Sequence, residues 1–192
     1  QVKDFLVVIP ARYHSSRFPG KPLADLCGKS LIWRVWDKCV QAVGVNEVMV
    51  ATDDESIHKH CLEQGMQVMM TSSECLTGTD RVAEVARKLE REIYINVQGD
   101  EPLVSPNDIK AVIDASQNEP EITFNAMCQI NEEADFRNPN VPKVVMQKNG
   151  RLLYMSRAPI PTNKKLEFEN SMKQVCIYAY PRDVLIAFGS LK

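Results

Sequence analysis

Long apolar runs, paired cysteines, glycosylation sequons and a charge excess of either sign are all missing from this sequence. No run approaches the roughly 18 apolar residues that a helix needs to cross a bilayer, so no membrane partner is expected. The cysteines, at 27, 39, 61, 75, 128 and 176, form no CxxC pair. Their spacing fits neither a zinc site nor a dense disulfide framework. Isolated, mostly apolar-flanked thiols point instead to a reducing, cytoplasmic setting. Neither a signal peptide nor an N-x-S/T sequon supports secretion. The net charge of -2 lacks the basic excess of a general nucleic-acid binder. A chain that opens on Gln1 is expected to have lost, or to omit, at least an initiating methionine.

What is present suits one packed domain: 192 residues, 44% hydrophobic and 25% charged. Phe5–Ile9 is a continuous apolar run, as in a strand covered on both faces. Ser30 is placed to cap a helix to about Val43. The expected order then runs strand 47–51, helix 55–64 stopped at Gly65, strand 67–70, helix capped by Thr79, strand 94–98 and helix 106–118 behind Ser105-Pro106. His58 and His60 read as surface positions of the second helix. This alternation calls for a doubly wound, mostly parallel sheet whose strand C-termini share one edge, where ligands usually bind. After residue 120 the pattern changes. A strictly alternating run over 122–130 and two strands around Asn149-Gly150 predict a hairpin and an antiparallel insertion in the second half. A further strand is expected over 174–180, then a helix from Pro181. No repeat or linker divides the chain, which reads as a single domain over 1–192.

Two familiar nucleotide signatures are absent. Gly28-Lys29-Ser30 resembles the end of a phosphate-binding loop, but Leu23 stands where its first glycine belongs, and no G-x-G-x-x-G follows the first strand. The basic segment IPARYHSSRFPGKPL, residues 9–23, fills that place instead. Arg12, Arg17 and Lys21 can hold phosphate oxygens, and turns from Ala11 to Ser16 can aim backbone amides at an anion. Prolines on both sides of Gly20-Lys21 fix the position of the lysine. At the end of the fourth strand, Gln98-Gly99-Asp100-Glu101-Pro102 carries two carboxylates. A carboxylate there suits Mg²⁺ held against nucleotide phosphates, because Mg²⁺ prefers hard oxygen ligands and keeps several waters.

The segments IPARYHSSRFPGKPL, ATDDE, MTSSECLTGTDRVAEV, INVQGDEP, NPNVPKVV, SRAPIP and IYAY together resemble the CMP-Kdo synthetase family of cytidylyltransferases, a branch of the sugar nucleotidyltransferases. They recur in family order along essentially the whole chain. The resemblance implies a Rossmann-like α/β fold with the nucleotide half first and the sugar half second. It implies transfer of CMP from CTP to the anomeric hydroxyl of Kdo (3-deoxy-D-manno-octulosonate), with pyrophosphate leaving. Mg²⁺ is the implied cofactor, and a homodimer is the implied assembly. By the same resemblance Arg12 and Lys21 bind the triphosphate, Ala11 is a further nucleotide-binding position, and Gly78, Thr79 and Arg81 lie at the nucleotide. Gln98, Arg157 and Tyr178 meet the sugar, with Arg157 on its carboxylate, and Asp100 is a metal ligand. Arg12, Lys21 and Asp100 are the expected catalytic set. Gln174 and Cys176 stand where the family has histidine and glycine. The family's chain also continues beyond position 192, so a fragment is expected here. Two rivals remain open: a cytidylyltransferase for a sialic-acid-like sugar, and a CTP-binding module without turnover.

Overall fold

The computed structural model describes residues 4–14 and 18–191. Ser15, Ser16 and Arg17 of the basic segment lie outside the described residues, as do 1–3 and 192. The chain gathers into two compact units, Gln1–Phe124 with Cys176–Lys192, and Asn125–Val175.

The first unit is the α/β layer structure that the alternation predicts. Its strands are β1 (Phe5–Ala11), β2 (Val48–Thr52), β3 (Val68–Met70), β4 (Ile93–Val97) and the second part of β8 (Met172–Pro181). Their order is β3-β2-β1-β4-β8, parallel through β4, with β8 antiparallel to β4. β1 is central, and Val7, Val8 and Ile9 are fully buried, as a strand with helices on both faces requires. On one face Leu6, Val8 and Tyr94 pack with Val82, Val85 and Ala86 of α3 (Gly78–Lys88) and Leu185 of α6 (Arg182–Phe188). Complete burial of a valine such as Val8 stabilises the fold by about 1.5–3 kcal/mol. α1 (Leu31–Val43) buries Leu31, Ile32, Val35, Cys39 and Ala42 along one stripe. It contacts α4 (Pro106–Asn118), while α2 (Glu55–Glu63) contacts β2 and β3.

Helix starts follow their caps. Ser30 Oγ accepts from the Trp33 amide at 3.3 Å, and Ser105 Oγ from that of Asp108. Asp54 Oδ1 accepts from the Ser56 and Ile57 amides at 2.9 and 3.0 Å. For α3 the expected cap, Thr79, is one residue inside the helix. Thr77 is the N-cap, because only Thr77 has an acid three residues on. Asp80 Oδ2 accepts from the Thr77 amide at 2.8 Å, and Thr77 Oγ1 from the Asp80 amide at 3.2 Å. His60 likewise departs from expectation. It is half-buried, with Nε2 at 2.8 Å from Ser30 Oγ.

In the second unit, β6 (Lys143–Met146) and β7 (Leu152–Ser156) form the hairpin across Asn149-Gly150. The turn needs glycine at position 150, where φ is +86°. β6 also pairs antiparallel with the first residues of β8, as Lys143 with Lys173 and Val144 with Met172. β5 (Phe124–Gln129) joins β8 as well. A short helix that the sequence pattern did not reveal, α5 (Glu133–Arg137), buries Phe136 against Phe168, ring centroids 5.1 Å apart.

Candidate active site

β1 and β4 lie side by side and parallel, so the segments after them leave the same edge of the sheet. A cavity of about 520 Å³ opens there, lined by Ala11, Arg12, Phe18, Lys21, Gln98 and Asp100 among others. That volume is within the range usual for small-molecule sites. Five of the residues singled out from the sequence, Ala11, Arg12, Lys21, Gln98 and Asp100, therefore share one cavity.

Two glycines bring these segments together. Gly20 adopts φ +69°, and its amide donates to the Tyr13 carbonyl at 2.8 Å, which turns the chain into the single 3₁₀ turn Lys21–Leu23. Gly99 is the tighter requirement. A Cβ there would lie 2.7 Å from the Pro10 carbonyl oxygen, so only glycine lets the β4 end approach the β1 end. Gly99→Ala forces these two strand ends apart. The expected cost is about 1–3 kcal/mol, or about 2–4 °C of unfolding temperature per kcal/mol. Activity falls with it because Pro10 and Gly99 both line the cavity. Thermal unfolding and a turnover assay check this together; an unshifted transition contradicts the close approach.

Lys21 Nζ donates to Asp100 Oδ2 at 3.2 Å, with both side chains about half-exposed. Glu101, next along the turn, has its carboxyl raised above the ordinary value by partial burial and by the Asp100 charge, which the Lys21 ammonium partly offsets. The cavity wall thus combines two cations, Arg12 and Lys21, with the Asp100 carboxylate, and Glu101 follows it in the turn. Cations of this kind take phosphate oxygens. The donor set also fits Mg²⁺ of the sort that uses one or two carboxylates and completes its shell with phosphate and water. Among the described residues no group of three His, Cys, Asp or Glu side chains could hold a metal without such outside ligands.

The first turn of α3 closes the neighbouring side. A Cβ at Gly78 would meet Pro10 Cγ at 3.2 Å and both ends of the Gln98 amide at 3.4 Å. Thr79 shares a side-chain hydrogen bond with Tyr180 of β8. Tyr178 lies opposite Asn96 of β4 and stacks on Tyr180 with centroids 6.1 Å apart. Burial, then Cys176 and Tyr180, push its phenol up to about 12.

Arg81 is built into the fold and does not line the cavity. It is 3% exposed, with Nη2 3.4 Å from Asp53 Oδ2, and Nη1 donates to Thr71 Oγ1 at 2.6 Å and to the Ser72 carbonyl at 3.2 Å. The Thr52-Asp53-Asp54 turn is occupied in the same way: Asp53 holds Arg81 and Asp54 caps α2. Burial works against ionisation of Asp54, but the Ser56 hydroxyl and two amides hold its carboxyl below the ordinary value. Arg157 belongs to the second unit. Its Nη1 donates to the Pro139 carbonyl at 2.9 Å, and the fully buried Lys143 holds the adjacent Asn138 carbonyl at 2.8 Å. Burial and the Arg157 charge lower the Lys143 ammonium from its ordinary value. Phe18 and Leu31 of the cavity wall, and Asp53 as partner of Arg81, were not singled out. Phe18 had its signal in the RFPGKPL run, whereas the Asp53–Arg81 pairing has none in sequence.

Comparison with known proteins agrees along the chain. The family model described as cytidylyltransferase matches residues 6–192. A 3-deoxy-manno-octulosonate cytidylyltransferase of Escherichia coli is 41% identical over 186 residues, covering 97% of this chain and 76% of that protein. One of the same name from Syntrophotalea carbinolica is also 41% identical, over 96% of this chain and 78% of that protein. A solved structure of CMP:2-keto-3-deoxy-manno-octonic acid synthetase complexed with CTP superposes with a TM-score of 0.91 at 40% identity, covering 98% of this chain and 78% of that one. A Leptospira borgpetersenii cytidylyltransferase, 16% identical, shares the fold at a TM-score of 0.63 over 99% of this chain and 65% of that one.

Proposed function

The chain belongs to the cytidylyltransferase family, and on that premise we propose that it transfers CMP from CTP to the anomeric hydroxyl of 3-deoxy-manno-octulosonate, releasing pyrophosphate. The observation that carries the reading is 41% identity over 97% of the chain to a relative named for that sugar and that transfer. The cavity supports it with chemistry of its own. Displacement at an α-phosphate needs positioning and charge neutralisation more than covalent help. Arg12 and Lys21 supply fixed positive charge for the triphosphate and for the charge that grows on departing pyrophosphate. Asp100 would hold Mg²⁺, with Glu101 beside it. When bound, that ion neutralises phosphate charge and orients the leaving group.

Gly78 and Thr79 offer the first turn of α3 to the nucleotide, and Arg81 supports that turn from behind through Asp53. Gln98 and Tyr178 are contacts for the sugar. Arg157 is the cation for the sugar's carboxylate, and its planar fork suits a bidentate grip. The product is an activated sugar for lipopolysaccharide or capsule synthesis, made in the cytoplasm by a homodimer. Among the described residues no helix is long and apolar enough to cross a membrane.

The test is pyrophosphate release from CTP and Mg²⁺ with Kdo, run beside a nine-carbon sialic acid. Release with Kdo and not with the nine-carbon acid is expected; the opposite preference overturns the assigned sugar.

A further inference from the structure

Asn96 of β4, two residues before Gln98, is fully buried. The period of two puts it on the same face as Gln98. Its strand partners are Val8 of β1 and Tyr178 of β8. Packing alone would place an apolar residue there, since a buried amide group with an unused donor is costly. The cost is evident: Asn96 Nδ2 has no hydrogen-bond partner, while Oδ1 accepts from Gln98 Nε2 at 3.2 Å.

That one bond decides what Gln98 can offer. A carboxamide presents two donors at one end and an acceptor at the other, and rotation by half a turn exchanges them. Nε2 gives one of its two hydrogens to Asn96, which leaves Oε1 as the acceptor end of the amide. With Asn96 held as it stands, turning Gln98 over would set Oε1 against Asn96 Oδ1, oxygen facing oxygen. The two cations in the cavity wall, Arg12 and Lys21, only donate. They suit phosphate, and in the described cavity wall the side chains that can accept a hydroxyl proton are Gln98 and Asp100, the latter already engaged by Lys21.

We propose that Asn96 is a positioning residue for sugar recognition: by holding Gln98 Nε2 it presents Gln98 Oε1 as the acceptor for a hydroxyl of the acceptor sugar. The inference rests on the function proposed above and assigns a residue behind the site. It also gives the orphaned Nδ2 a reason: the amide is retained for Oδ1.

The experiment is a double-mutant cycle on the full chain with Asn96→Leu and Gln98→Met, reading the apparent KM for Kdo and for CTP separately alongside thermal unfolding. Asn96→Leu is expected to raise KM for Kdo about tenfold and leave KM for CTP within about twofold. Gln98→Met raises KM for Kdo at least as much, and the double variant is no worse than Gln98→Met alone. Asn96→Asp, which still accepts, recovers most of the loss. Asn96→Val is run in parallel, so that a folding failure of the leucine variant leaves the cycle intact. An unchanged KM for Kdo, a parallel rise in both KM values, or additive effects in the double variant overturns the assignment. Failure of the unmodified chain to use Kdo overturns the underlying function instead, whereas Kdo turnover with an additive cycle overturns the role of Asn96 alone.

Discussion

Lys21→Met is expected to lower turnover of CTP and Kdo by about 10²–10³, the usual effect of losing one preorganised donor to developing charge, worth about 2.7–4 kcal/mol of barrier. Methionine keeps the length and apolar stem of the side chain and removes only the ammonium. Lys21 and Asp100 are about half-exposed, so their ion pair contributes little to stability, and the variant should unfold at nearly the unmodified temperature. The loss then belongs to chemistry at the triphosphate. Steady-state pyrophosphate release checks it, and turnover within a few fold of normal would show that the loop only lines the cavity.

Asp100→Asn is the second large effect. An amide retains the shape and a carbonyl oxygen but not the negative charge that draws Mg²⁺ to the end of β4. Turnover at ordinary Mg²⁺ should fall by at least about 10³, with unfolding unchanged because Asp100 is exposed at the end of its strand. Titration with Mg²⁺ separates the causes. Partial recovery at high Mg²⁺ marks a lost ligand, and activity that is near normal at every Mg²⁺ concentration removes Asp100 from the mechanism. Chelation of the unmodified protein should give the same loss, restored on adding Mg²⁺ back.

The first half of the fold was legible because its signals are local. The run Phe5–Ile9, the cap at Ser30 and Ser105-Pro106 each name a strand or a helix start within a few residues, and right-handed crossovers put the strand C-termini on one edge. Thr77 was open to view in the same way, through the acid at Asp80, but the neighbouring threonine in the TGTDR segment drew the cap forward. The cavity was legible in part. A basic segment and an acidic turn after parallel strands must meet at one edge, and Lys21 does meet Asp100. The close approach of Gly99 to Pro10, the burial of Arg81 against Asp53 and the bond from Gln98 to Asn96 were not legible, because each depends on how neighbouring strands and α3 pack. In sequence, Arg81 carries only its charge and its place in a motif. In the fold, three partners engage its guanidinium.

The reaction proposed for the cavity at the ends of β1 and β4 moves the α-phosphate of CTP onto a sugar. Incubating the protein with Mg²⁺, Kdo and CTP labelled at the α-phosphorus tests it most directly. The label is expected to enter a new sugar phosphodiester in step with unlabelled pyrophosphate, and the Lys21→Met protein to lose both signals together. Label remaining in CTP, or leaving as CDP or free CMP with no sugar adduct, would contradict it.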